Sequence, residues 1–193
     1  PGDRLVAWEG RDSASGGSVD HPFDLVWLAE NEAPTGPLAL IAIRDGQRVE
    51  AEAPVASWGL VARPSLPPVI EGLYLRGAET EDWLDLWEDA VSRLDDDPAT
   101  RAWFEVRLAE RLVAEGRVEE SVPWFEAAAA RARASGDGRA EVAVLDAAGE
   151  ALFARDHLEA AVEAFGRALE VAEGLENAAL MTASLTNDLG VAR

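Results

Sequence analysis

Apolar residues recur at three- and four-residue steps through most of residues 66–193, which is the spacing of one face of an α-helix. One such series runs to Leu112, gives way to a polar turn at 114–117, and resumes towards Phe125. A Gly-Asp-Gly segment at 136–138 then ends the block, because glycine favours helix termination. The pattern therefore predicts paired helices joined by short turns.

The blocks are copies of one sequence unit. Moving 112–128 forward by forty positions superposes three pairs of residues: Leu112 on Leu152, Phe125 on Phe165, and Ala128 on Ala168. An upstream copy, offset by thirty-eight, has Trp87 at the aromatic position but Trp83 where the later copies carry a small residue, so it is degenerate. Residues 185–190 begin a further copy. A fixed period of this length predicts a stack of helical hairpins.

This pattern resembles the tetratricopeptide repeat family, most clearly in the second full unit. That unit carries the small and aromatic positions of the family motif, namely Gly149, Leu152, Ala161, Phe165 and Ala168. The resemblance implies an all-α superhelix over 66–193, with a degenerate unit at 66–97, full units at 98–137 and 138–176, and a partial unit at 177–193. Units near forty residues exceed the family's usual ~34 and imply the longer helices of bacterial regulatory members. An ordinary antiparallel helix bundle is the alternative.

The first fifty residues alternate with a shorter period and predict an α+β module. The Gly/Ser-rich stretch 10–19 is predicted to be a loop, and His21-Pro22 to begin a short helix. The predicted strands are Arg4–Glu9, Leu38–Arg44 and Gln47–Ala53, with a hairpin turn at Asp45-Gly46 between the last two.

This order resembles the later part of a bacterial PDZ domain, through the phrases at 1–5, 21–25 and 40–47. The family's carboxylate-binding loop and peptide-pairing strand would precede Pro1. We therefore expect either that the chain is a piece of a longer protein or that a second polypeptide completes the sheet. The alternative is a small α+β cap without a groove. The predicted boundaries are 1–56 for this module and 57–65 for an extended linker whose Trp58 and Leu60 pack on the first helices.

The charge narrows the choice of partner. The net charge is −20, and all seventeen basic residues are Arg. Such a chain repels phosphate backbones and anionic lipid, which argues against nucleic acid and membranes as partners, and it favours a basic protein or peptide. Solubility alone is the other explanation of this charge. There is no Cys and no apolar run of membrane-spanning length, which agrees with a cytoplasmic protein.

No catalytic chemistry is evident in the sequence. His21 and His157 have no ligand-spaced partners, and the nucleotide, hydrolase and metalloprotease motifs are missing. The acids at 95–97 are better explained by a helix end and the next N-cap than by a cation site. We therefore predict no enzyme, no metal and no cofactor.

The resemblance to tetratricopeptide repeats implies that a partner lies in the concave groove lined by the first helix of each unit. The predicted groove residues are Trp103, Arg107, Glu110, Asp146, Glu150, Phe153 and Asn187, with Val106, Val113, Ala143 and Val191 beside them. Acids alternate with aromatics in this set, which predicts a scaffold that binds a basic, partly apolar segment. Solvated helix faces are the alternative reading of the same residues.

Two other functions fit the same sequence. One is the regulatory region of a larger enzyme, such as a caspase-like CHAT protease that follows helical repeats. The other is self-association through an apolar face on the last helix, at Leu185, Leu189 and Val191.

Overall fold

A computed structural model describes residues 3–10, 15–53, 62–94 and 97–193. It confirms the predicted class, a small antiparallel sheet with a short helix followed by a run of helices. The hairpin helices are α2 (Pro68–Glu79), α3 (Trp83–Ser92), α4 (Pro98–Ala114), α5 (Val118–Ser135), α6 (Gly138–Phe153), α7 (Leu158–Glu173) and α8 (Ala179–Ala192).

The sheet contains four strands in the order β2-β1-β3-β4, with every neighbouring pair antiparallel. Strands β1 (Arg4–Glu9), β3 (Leu38–Arg44) and β4 (Gln47–Ala53) lie where the alternation places them. The prediction of a loop throughout 10–19 was wrong, because β2 (Gly16–Ser18) pairs with β1. Side-chain alternation cannot reveal a strand of two glycines and a serine, since the pairing is made by the backbone alone.

Two carboxylates fix where the central helices begin. Asp97 Oδ1 accepts from the backbone N–H of Thr100 at 3.0 Å, and Asp137 Oδ1 accepts from that of Ala140 at 3.0 Å. Each satisfies a helix-terminal donor that has no partner within its own helix. Helix α5 is capped at its C-terminus by Gly136, whose φ of 76° is the left-handed conformation that glycine adopts without a Cβ penalty. Capping residues close in sequence thus determine where these helices begin and end.

The small and aromatic positions of the repeat pack directly on each other. A Cβ added at Gly149 of α6 would lie 2.5 Å from Cε1 of Phe165 of α7, so the ring fills the space left by glycine. The predicted degenerate unit, helices α2 and α3, is held differently. Its Trp87 stacks on Tyr74 at 5.3 Å between ring centroids, and the Arg111 guanidinium lies 4.4 Å from the Trp83 ring centroid. Large aromatics therefore replace the small-residue packing there.

The short helix α1 (Pro22–Trp27) continues into a π-helical turn, Leu28–Glu32, and lies between two hydrophobic cores. Leu25 and Leu28 pack under the sheet, whereas Phe23 and Trp27 belong to the core of the helical repeats. The predicted packing of Trp58 and Leu60 on the first helices lies outside the described residues.

The expectation of an exposed apolar face on α8 was wrong for two of its three residues. Leu185 is 0% and Leu189 8% exposed, while Val191 is 63% exposed. Helix α7 packs against α8, and so does the π-helical turn from the N-terminal module. Leu185 and Leu189 are therefore covered from within the chain, whereas Val191 is not.

Candidate binding groove

Helices α4 and α6, the first helices of the two full repeat units, pack against each other and form the centre of the predicted groove. On α4, Trp103 is buried at 5% exposure beside Tyr74 and Phe104. Arg107 lies over the Trp103 ring at 5.9 Å and donates to Glu110 Oε1 at 2.8 Å. Trp103 thus stiffens the wall of the groove, and Arg107 and Glu110 form its polar surface.

Carboxylates from three helices converge on this surface. The charge of Glu150 on α6 acts on Glu110 of α4, and the charge of Asp188 on α8 acts on Asp146 and Glu150. These four residues are called the acidic groove cluster below. Glu30, from the π-helical turn of the N-terminal module, adds its charge to Asp146 and Glu150. The structure therefore brings together three of the predicted acids and adds two that the sequence did not indicate.

The ionisation of the cluster reflects this crowding. Burial, together with the charges of Glu150, Asp188 and Glu30, raises the pKa of Asp146 to about 7. Partial desolvation of its carboxyl raises the pKa of Glu150, although the residue as a whole is exposed, and Asp188 and Glu30 act in the same direction. For Glu110, burial raises the pKa and Arg107 opposes the rise. Within the described residues, Asp146 Oδ1 is buried and has no hydrogen-bond donor. The groove consequently holds more negative charge than its own cations balance.

The remaining predicted positions divide between the rim and the interior. Phe153 at the end of α6 is 37% exposed, and Asn187 on α8 is exposed and donates to Asp188 Oδ1 at 3.4 Å. Three of the neighbouring positions that were also predicted to line the groove, Val106, Val113 and Ala143, are instead buried in the repeat core.

The part of the groove over α6 and α8 is occupied by the chain itself, through α1 and the π-helical turn (the docking segment, residues 22–32). Helix α1 packs against α6, and the π-helical turn packs against α8. Phe23 is 4% and Trp27 2% exposed, and the Arg139 guanidinium of α6 lies 4.9 Å from the Trp27 ring centroid. The docking segment presents an aromatic residue on each of two successive turns, in the manner of a helix bound in a groove.

Polar contacts fix both ends of the docking segment. At its start, His21 Nε2 lies 2.6 Å from Asp137 Oδ2, the residue that caps α6. Burial would lower the pKa of His21, but Asp137 and the neighbouring acids outweigh it and the pKa is raised. At its end, buried Asn31 accepts at Oδ1 from the backbone N–H of Met181 at 2.9 Å and so caps α8. Both contacts require the docking segment to lie against the helical repeats.

Sequence reasoning assigned His21 correctly to a helix start and missed the docking itself. A signal for docking is nevertheless present in the short helix. Phe23 and Trp27 share one face, whereas Leu25 and Leu28 lie away from it. A helix that is apolar on two faces needs two surfaces to cover it.

The described residues include no group of three or more His, Asp or Glu side chains arranged to hold a metal ion. None of the helices in the described ranges combines the length and the apolar character that crossing a bilayer requires.

A tetratricopeptide repeat family model matches residues 100–174, which cover most of α4 and all of α5 to α7. Repeats of this family generally mediate protein–protein interaction and are non-catalytic modules. No family match bears on the N-terminal sheet, so its likeness to a PDZ domain stays a prediction. No curated protein and no solved structure matches the chain.

Proposed function

We propose that this protein is a non-enzymatic scaffold that holds a basic or amphipathic segment of another protein against the acidic groove cluster. The observation that carries the proposal is the convergence of Glu110, Asp146 and Glu150 from two repeat units on one surface. Like charges brought together by the fold raise the energy of the free protein. A lysine or arginine side chain from a partner would relieve that repulsion.

The surroundings of the cluster support the same class of partner. Phe153 offers an apolar contact at the rim, and the repeat family that matches this part of the chain generally binds proteins. The net charge of −20 favours encounter with a basic partner over long distances. A regulatory role within a larger enzyme would use the same binding step, and the cysteine-free composition agrees with a cytoplasmic place of action.

The test uses a synthetic amphipathic peptide of leucine and lysine, labelled with fluorescein, and measures anisotropy on titration with the full chain. Reversing the groove charges with Glu110→Arg, Asp146→Arg and Glu150→Arg together should weaken binding by about tenfold or more, since each 1.4 kcal/mol is a factor of ten.

A matched control makes the same change in net charge on the second helices α5 and α7, with Glu119→Arg, Glu163→Arg and Glu170→Arg, all at exposed positions. This control should change the affinity by about threefold at most, through the long-range field alone. Equal losses in the two triple variants would refute a binding site at the groove and leave only non-specific attraction. Circular dichroism establishes that both variants keep their helices.

A further inference from the structure

The docking segment shows which shape the groove over α6 and α8 accepts. It is helical, and its two aromatic anchors, Phe23 and Trp27, are four positions apart and almost fully buried against the repeat core. Positions i and i+4 lie on one helix face, so both rings meet the same surface. This part of the groove is therefore already complementary to a helix with aromatic residues at that spacing.

Three residues after Trp27, in the π-helical turn, is the acid Glu30, next to the Asn31 that bonds α8. It is exposed, and its charge acts on Asp146 and Glu150, which are themselves acidic. Like charges facing each other across a contact are destabilising, whereas a lysine or arginine at this position would face two carboxylates. The docking segment thus matches the groove in shape at two positions and opposes it in charge at the third.

We infer that the preferred partner of this groove is an amphipathic helix with two aromatic residues four positions apart and a basic residue three positions after the second. The docking segment then acts as an internal, imperfect copy of that partner, which an external helix of this pattern displaces. The inference rests on the proposed function and adds to it the sequence pattern of the partner and the competition within the chain.

Tethering explains how an acidic segment stays docked on an acidic surface. A segment that belongs to the same folded chain as its site stays at a high effective concentration beside it, so it binds despite a poor match. The bonds from His21 to Asp137 and from Asn31 to the backbone of Met181 add to this. A free partner lacks the tether and needs a better match, which the basic residue supplies.

The first experiment opens the groove in the full chain with Trp27→Ala and adds labelled synthetic peptides that correspond to residues 20–35. The peptide carrying Glu30→Lys should bind about fivefold more tightly than the native peptide, because it exchanges repulsion for attraction at an exposed site. A native peptide with Trp27→Ala should bind at least about tenfold more weakly, since a buried aromatic anchor is removed. Equal affinities of the lysine-containing and native peptides overturn the inference, and so does undiminished binding of the peptide without tryptophan.

The second experiment does not use Trp27→Ala. It therefore tests the inferred match at position 30 even if that variant fails to fold. In the intact chain, Glu30→Lys should slow amide hydrogen exchange in residues 22–32 by about threefold or more, because docking improves. The control is Glu81→Lys, which makes the same charge change at an exposed turn between α2 and α3 and should leave that exchange as it is. Unchanged or faster exchange in Glu30→Lys overturns the inference.

The two proposals fail separately. If the leucine–lysine peptide does not bind the native chain, the proposed function falls, while the exchange experiment still reports on the match at position 30. If that peptide binds and Glu30→Lys leaves its affinity unchanged, the proposed function stands and the competition within the chain is refuted. Weaker binding of the same peptide to Glu30→Lys supports both.

Discussion

Replacing Asp146 by asparagine should make the protein more stable and a poorer binder. The pKa of Asp146 is about 7 in the folded chain against an ordinary value of 3.8. The folded state therefore keeps a proton that the unfolded state loses, and stability is lost as the pH rises from about 4 through 7. Each pKa unit corresponds to about 1.4 kcal/mol, which gives about 4 kcal/mol for a fully enclosed group. Solvent at the groove reduces this to about 2 kcal/mol.

Asparagine has nearly the same shape and carries no charge at any pH. Asp146→Asn should therefore melt about 4–8 °C above the native chain at pH 8, given about 2–4 °C per kcal/mol for a chain of this size. The difference should shrink steadily towards pH 5, where the native carboxyl retains its proton. Thermal melts followed by circular dichroism at pH 5, 6, 7 and 8 measure this trend.

The control for that trend is Glu170→Gln, the same acid-to-amide change at an exposed position of α7. It should show no comparable dependence on pH. A constant difference between Asp146→Asn and the native chain from pH 5 to pH 8 would refute the reasoning, as would an equal trend in the control. If binding of the leucine–lysine peptide weakens in the stabilised variant, the groove carries a charge that costs stability and serves recognition.

Two further predictions concern the repeat stack. Gly149→Ala should lower the free energy of unfolding by about 1–3 kcal/mol in urea titrations, since its Cβ meets the Phe165 ring at 2.5 Å. Gly166→Ala, with open space around the added Cβ, should instead raise it by about 0.5–1 kcal/mol, and similar effects of the two changes would contradict the packing argument. Glu105, 1% exposed, accepts from Arg131 Nε at 2.8 Å. Arg131→Met should cost more stability than Glu105→Gln, because it leaves the buried carboxylate without that partner, and the reverse order would be contrary to expectation.

The sequence predicted the repeat because local and tertiary requirements coincide there. A small residue at 149 and an aromatic at 165 recur with the helix period, and the ends of the helices are marked by Asp97, Asp137 and Gly136. The structure places each of these features where the pattern puts it. The three β-strands with alternating side chains were predicted for the same reason, whereas β2 carries no such alternation.

The groove was predictable only in part, because which residues line it depends on contacts between segments that are distant in the sequence. Glu110, Asp146 and Glu150 follow from their positions in the repeat, so they could be proposed from sequence. Glu30 joins them only through the docking of the N-terminal module, and Asp188 only through the packing of α8 on α7, and no local periodicity encodes either contact. Trp103 shows the opposite case. Its position in the repeat faces the groove, yet Tyr74 of α2 and Phe104 of its own helix pack against it and it is buried.

The cap that Asn31 provides for α8 joins positions 150 apart in the chain. During synthesis the docking segment emerges before α6, which packs against α1, and before α8, which packs against the π-helical turn. The hairpins can form from local contacts as they appear, but Phe23 and Trp27 lack the α6 surface until that helix has been synthesised. For that interval the nascent chain displays the same aromatic pair by which, in our proposal, the mature groove selects its partner.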